Sequence, residues 1–273
     1  MESSIVMNLK PEFEPVSIVW SNTIPEDTFQ FKKDKSGCIL YLFAEASASG
    51  KISGASRDNI KCIGGRSALG FGYDFTESDE VLDRYVALNS KGIRSTAFKD
   101  AYQAELDSMN KRNRTYFELG ERLLCNAELA RDYLLYEKPR YDIPYEFVLF
   151  KPLSRTLPED NIQAVIFPLN PNELGALITI TGSIMKGTDP VQVPQGPDCG
   201  NITAFACIQN DLPCPRAVLG MFGIEGRNVM RKRFREDILT LTLPAALYYH
   251  VEQEVGDCIL QLPSWQKLFN NNL

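Results

Sequence analysis

The order of apolar patterns along this chain predicts an α/β or α+β fold, built as two pseudo-repeated lobes with a central helical segment. Three observations carry that expectation. Short β-type runs near both ends alternate with helix starts, and the middle of the chain has helical periodicity with few strand signals. A strand, a Pro-Glu-Asp turn and a Cys-Gly element also recur in the same order in each half: Val16 to Trp20, Pro25-Glu26-Asp27 and Cys62 in the first, and Phe147 to Phe150, Pro158-Glu159-Asp160 and Cys199 in the second. The expected division is residues 1–76 as a first α/β lobe, 77–140 as the helical segment and 141–273 as a second α/β lobe, or one compact domain. With 273 residues, 44% of them hydrophobic, the chain can bury a proper core.

Taken in order, Val16 to Trp20 reads as a strand and Cys38, Cys62 and Cys199 each precede a helix start. Glu77 to Asn89 carries Val81, Leu82, Tyr85, Val86 and Leu88 at helical spacing. Ser95 has the character of an N-cap for a helix through Phe98, Tyr102, Leu106 and Met109, and a third helix is expected from Thr115 through Leu134 towards Pro139. Beyond Pro144, Glu146 to Phe150, Ala164 to Phe167 and Arg216 to Phe222 read as strands. Asn170-Pro171 is a cap and first-turn pair for a helix through Ile184. Ile238 to Leu243 alternates apolar residues with threonine before Pro244 opens a final helix through Val255. The aromatic residues of the middle segment suit core or dimer contact better than a ligand tunnel, so a homodimer is expected there.

Composition narrows the function classes. Asp and Glu outnumber Lys and Arg by 35 to 29, which gives no global footprint for nucleic acid or an anionic membrane. The first residues lack the long apolar run of a secretory signal, and no stretch approaches the roughly 20 apolar residues of a span, so a cytoplasmic protein with no membrane partner is expected. Seven cysteines in such a chain point to free thiols rather than a disulfide framework. A single histidine, His250, excludes multi-histidine metal sites within one chain. It reads as a partly buried helical residue rather than a catalytic base. No Walker A motif is present, and Gly70-Phe71-Gly72 is too short to mark a dinucleotide site. The cluster Arg231-Lys232-Arg233 with Arg235 reads as a surface turn.

The thiols carry the most chemistry. Cys125, Cys207 and Cys258 lie in apolar contexts suited to small buried side chains, and Cys214 is a loop thiol. Cys38, Cys62 and Cys199 differ, because glycine or a polar cap beside each lets backbone N–H groups approach the sulfur. The expected helix starts favour thiolates there. Such settings suit ligands of a metal or cluster, although no Cys-x-x-Cys pair is present and the spacing is long-range.

These elements also form a recognisable succession: Cys38 ahead of Ala44-Glu45, Cys62-x-Gly64-Gly65 closing in Leu69-Gly70, Phe150-Lys151-Pro152-Leu153, Asn170-Pro171-Asn172-Glu173-Leu174, Cys199-Gly200, and Leu219-Gly220-x-Phe222 to Arg227. Over most of its length the chain resembles an uncharacterised prokaryotic family known only as a domain of unknown function (DUF169-like), frequent in anaerobes and archaea. The resemblance implies Cys38, Cys62, Cys199 and Arg227 as the functional set, with no established activity. Many relatives carry a further cysteine near the position of Met221 or Phe222, and its absence here argues against a four-cysteine cluster.

The expected function is metal-centre binding by Cys38, Cys62 and Cys199, with an iron-sulfur cluster as cofactor, one open or non-cysteine position, and a redox or accessory role in anaerobic metabolism. A small molecule or redox partner would then be its partner. Two alternatives stand beside it: a metal-free module binding an anionic small molecule with Arg227 as counter-charge, and a cysteine-nucleophile enzyme with a thiol near His250 or another base.

Overall fold

Successive side chains of a strand point to opposite faces, so the near-continuous apolar runs of the central strands let one sheet carry a core on each face. The computed structural model describes residues 2–32, 37–93, 102–109 and 111–270. Its seven strands are β1 (Val16–Ser21), β2 (Ser53–Ser56), β3 (Phe147–Pro152), β4 (Ile162–Leu169), β5 (Val191–Gln192), β6 (Ala217–Gly220) and β7 (Leu239–Pro244). They form a single sheet in the order β2-β3-β1-β4-β7-β6-β5, antiparallel except for the short β5–β6 pair. The mixed α/β class expected from the sequence is therefore what the chain adopts. Two pseudo-repeated lobes are not evident, because β1 from the first segment lies between β3 and β4 of the last.

One face of the sheet presents Ile18, Val148, Phe150, Ala164, Ile166 and Val218 to a core shared with α2 (Ile39–Ser49), α3 (Ile63–Ala68), α4 (Asp79–Asn89), α7 (Ala127–Asp132), α9 (Phe205–Cys207) and α10 (Ile224–Met230). The other presents Val19, Leu149, Val165, Phe167, Leu241 and Leu243 to α1 (Ser4–Leu9), α8 (Pro171–Ser183) and α11 (Ala245–Glu254), with Trp265 of α12 (Pro263–Asn270) packed alongside. The remaining helices, α5 (Gln103–Ser108) and α6 (Lys111–Leu119), extend the first layer through a small cluster of Ala87, Ile93, Tyr102 and Leu106. β4, at the centre of the sheet, is buried at all eight positions, as a strand covered on both faces must be.

Local chemistry sets the helix ends. Asn170 closes a full capping box with Glu173, Pro171 occupies the first turn, and Pro244 ends β7 as the cap of α11, as the sequence predicts. Ser78 caps α4 by accepting from the Val81 N–H. The expected helix from Thr115 to Pro139 is broken into three pieces: α6, α7 and a π-type turn over Tyr133–Glu137. Gly120 and Arg122 adopt left-handed backbone, φ 67° and 57°, which ends α6. A Cβ at Gly120 would stand 2.3 Å from the Ser90 carbonyl oxygen, so the glycine also permits a close crossing of two chain segments. The expected cap Ser95, with Phe98, lies outside the described residues. Among the described residues no helix is long and apolar enough to cross a membrane.

Candidate functional site

Each of the three singled-out cysteines stands at the N-cap of a helical element. Cys38 precedes α2, Cys62 precedes α3, and Cys199 precedes a π-type turn over Gly200–Ala204. The fold brings all three to the wall of one cavity of about 520 Å³, between the first helical layer and the central helices. Gly64 sits between two of the thiols: a Cβ built on it would lie 3.7 Å from Cys62 Sγ and 3.8 Å from Cys199 Sγ, and the Cys199 thiol donates to the Gly64 carbonyl at 3.6 Å.

A web of polar contacts fixes these starts relative to one another. The Thr203 hydroxyl lies 2.8 Å from the Ala68 carbonyl and 2.6 Å from that of Cys199, tying the end of α3 to the π-type turn. Asp198, beside Cys199, accepts from the Gly223 N–H at 3.1 Å and so ties the same turn to the start of α10. Gly226 of α10 must lack a side chain, because a Cβ there would meet Asp198 Oδ2 at 2.1 Å. Leu40 of α2 packs on the same glycine, which brings the Cys38 helix to the site.

The central segment supplies the rest of the wall: Tyr85, Leu88 and Asn89 from α4, Tyr116 and Phe117 from α6, Glu121, and Leu134 and Lys138 around the π-type turn of Tyr133–Glu137. π-type turns are rare and concentrate at functional sites. Both described here adjoin the cavity, one beginning after Cys199 and the other delivering Lys138. Lys138 is only 3% exposed, and its Nζ has no hydrogen-bond partner among the described residues. Its ammonium stands 5.6 Å from the centre of the Phe75 ring.

Electrostatics corrects one expectation. The helix-start positions predicted thiolates, but burial pushes the Cys38 and Cys199 thiols up to about 12. The Leu40 and Tyr41 N–H groups at Cys38, and the Lys138 ammonium at Cys199, pull in the opposite direction without overcoming it. The protonated thiol is thus favoured at these two sulfurs until a cation or another positive group enters. Burial, with Asp198 and Glu225 nearby, raises the Glu121 carboxyl to about 7. Burial likewise raises Asp198 to about 6 against the pull of the Gly223, Phe222 and Met221 N–H groups and of Arg227. Lys138 is held below the usual lysine range by burial, which the cysteines near it partly offset. Among the described residues, no three His, Cys, Asp or Glu side chains stand close enough to hold a single metal ion.

The DUF169 family model, whose family is described as uncharacterised ArCR, matches residues 4–254, including every cavity residue named above. The chain belongs to this family. No curated protein and no solved structure matches the chain.

Within this DUF169 chain Arg227 is separated from the cysteines. The sequence suggests a turn residue pointing into the cleft; the structure puts it within α10, on a different recess beside Met221, Met230 and Phe234. Its guanidinium has no hydrogen-bond partner among the described residues, although its charge reaches Asp198. His250 is exposed rather than partly buried, and lies on α11 against the opposite face of the sheet. Cys125 is also exposed and outside any helix, whereas Cys207 is buried as expected. The basic cluster is a surface turn whose Arg233 pairs with Glu45 and whose Arg235 pairs with Glu12 and Asp237. Sequence reasoning missed Lys138, Glu121 and Asn89. Nothing in their local sequence separates them from solvent-facing residues. Asp198 did carry a signal, as the residue preceding the Cys199-Gly200 element.

Proposed function

We propose that this DUF169 protein holds a metal centre on Cys38, Cys62 and Cys199, best met by an iron-sulfur cluster, in a redox or accessory role. The observation that carries the reading is the convergence of these three thiols, distant in sequence, on one cavity. The donor set fits. Thiolates are the usual ligands of such clusters, and N–H groups and a cation beside the sulfurs favour their ionisation and tune the bound group. Thiols spread round a cavity of about 520 Å³ suit an occupant several ångströms across better than one ion bonded to sulfur at about 2.3 Å.

When bound, the cluster would supply one-electron storage. The protein's own part is to supply three sulfur ligands, exclude bulk water with Phe75, Tyr85 and Phe117, and leave one coordination position without a cysteine. The test is anaerobic purification followed by visible absorption and assays of iron and sulfide. Stoichiometric iron and sulfide, lost in Cys38→Ser, Cys62→Ser and Cys199→Ser, are the expected result. Wild-type protein that takes up neither, even after anaerobic reconstitution, would overturn the reading. Since His250 lies on α11, against the face of the sheet opposite Cys38, Cys62 and Cys199, a cysteine-nucleophile reading of those three thiols would need another base.

A further inference from the structure

Buried polar atoms without hydrogen-bond partners stand on the cavity wall beside the thiols: Lys138 Nζ, Asn89 Oδ1 and Asp198 Oδ2. Lys138 has three N–H donors, is 3% exposed, and lacks any acceptor among the described residues. Burying an ammonium without a hydrogen-bonding partner is costly, and a neutral thiol sulfur is only a weak acceptor. Asp198, on the same wall, accepts from the Gly223 N–H through Oδ1 and leaves its buried Oδ2 without a partner, but no hydrogen bond joins it to Lys138. Asn89 is the complementary case. Its Nδ2 donates to the Tyr85 carbonyl at 2.7 Å, while its buried Oδ1 has no partner. One cavity therefore contains a charged donor without an acceptor and a neutral acceptor without a donor.

We propose that the cavity binds a small organic acid bearing a carboxylate and a hydroxyl or amino donor, with the carboxylate on Lys138 and the donor on Asn89 Oδ1. The proposal rests on the reading of this cavity as the metal-centre site, with the thiols taking one part of the wall and the acid another. An outer recess of about 650 Å³, flanked by Lys111 and Thr115, adjoins the cavity and shares Tyr116, Glu121 and Glu225 with its wall. The cavity, at about 520 Å³, lies within the size range of small-molecule sites.

Isothermal titration calorimetry on the full chain, prepared anaerobically, tests this with glycolate, L-lactate, L-malate and L-serine as probes. Lactamide, which replaces the carboxylate by a neutral amide, is the control. At least one acid should bind. Its affinity should fall about tenfold or more in Lys138→Met, as loss of a charge-assisted hydrogen bond implies, and measurably in Asn89→Leu, while lactamide gives no heat. If Lys138→Met fails to fold, Asn89→Leu carries the comparison. Absence of binding by all four acids, or unchanged affinity in the variant that folds, overturns the proposal. Iron and sulfide measured on the same samples separate the two readings: iron without acid binding removes this inference alone, and acid binding without iron or sulfide removes only the metal centre.

Discussion

Replacing Lys138 by methionine should stabilise the metal-free protein. The substitution keeps an unbranched side chain of nearly the same length in a site where the lysine is 3% exposed, and it removes an ammonium that has no hydrogen-bond partner among the described residues. Replacing buried ion pairs by apolar side chains of similar volume is worth up to about 1–4 kcal/mol, an unpaired buried ammonium costs at least as much to desolvate, and the Phe75 ring at 5.6 Å repays part of the cost here. A gain of about 2 kcal/mol follows, or roughly 4–8 °C in Tm for a chain of this size. The pH dependence gives a second, sharper check. Burial holds the folded-state pKa of Lys138 below its unfolded value, so the folded protein releases this proton first. Wild-type stability therefore recovers as pH rises from the lowered pKa towards about 10.4, and the advantage of the methionine variant shrinks over that interval. Chelator-treated protein followed by circular dichroism through urea and thermal melts would measure both. A variant less stable than wild type at neutral pH, or an advantage that grows with pH, would refute this reasoning.

Three further outcomes are expected. Gly120→Ala should cost at least about 2 kcal/mol, since φ is 67° and the new Cβ would meet the Ser90 oxygen at 2.3 Å. Gly175→Ala, inside α8 with nothing within 4 Å of the new Cβ, should instead gain about 0.5–1 kcal/mol; urea midpoints for the pair check both signs. Glu121 is pushed up to about 7 by burial, Asp198 and Glu225, so its contribution is complete below about pH 4.5 and is lost as pH rises to about 7. Glu121→Gln should remove that part of the slope, on the order of 2 kcal/mol across the window, and identical pH profiles for variant and wild type would contradict the assignment.

The helix starts at Cys38, Cys62 and Cys199 were legible because small residues and glycines after a polar or thiol side chain leave few other backbone choices. The Asn170-Pro171 helix start and the alternation of Ile238 to Leu243 were legible for the same local reason. What local pattern does not encode is which strands become neighbours. β1 pairs with β3 and β4, more than 120 residues away, and this long-range pairing makes one sheet from segments that read as two lobes. The break at Gly120 was hidden by apolar residues that keep helical spacing on both sides of it. Lys138 was invisible because a lysine near a helix end is ordinarily solvated, and only the π-type turn before it, with the cysteine elements packed opposite, buries it. Burial also reversed the sign expected at the thiols, since a helix start contributes less than the desolvation of Cys38 and Cys199.

The convergence of Cys38, Cys62 and Cys199 on one cavity is tested most directly by iron and acid-labile sulfide per chain in anaerobically prepared wild-type and single-cysteine variants. Both should be present in stoichiometric amount in wild type and in Cys214→Ser, whose thiol is exposed and does not line the cavity, and depleted in Cys38→Ser, Cys62→Ser and Cys199→Ser. Equal iron and sulfide in all five proteins, or none in any of them, would contradict a metal centre at these thiols.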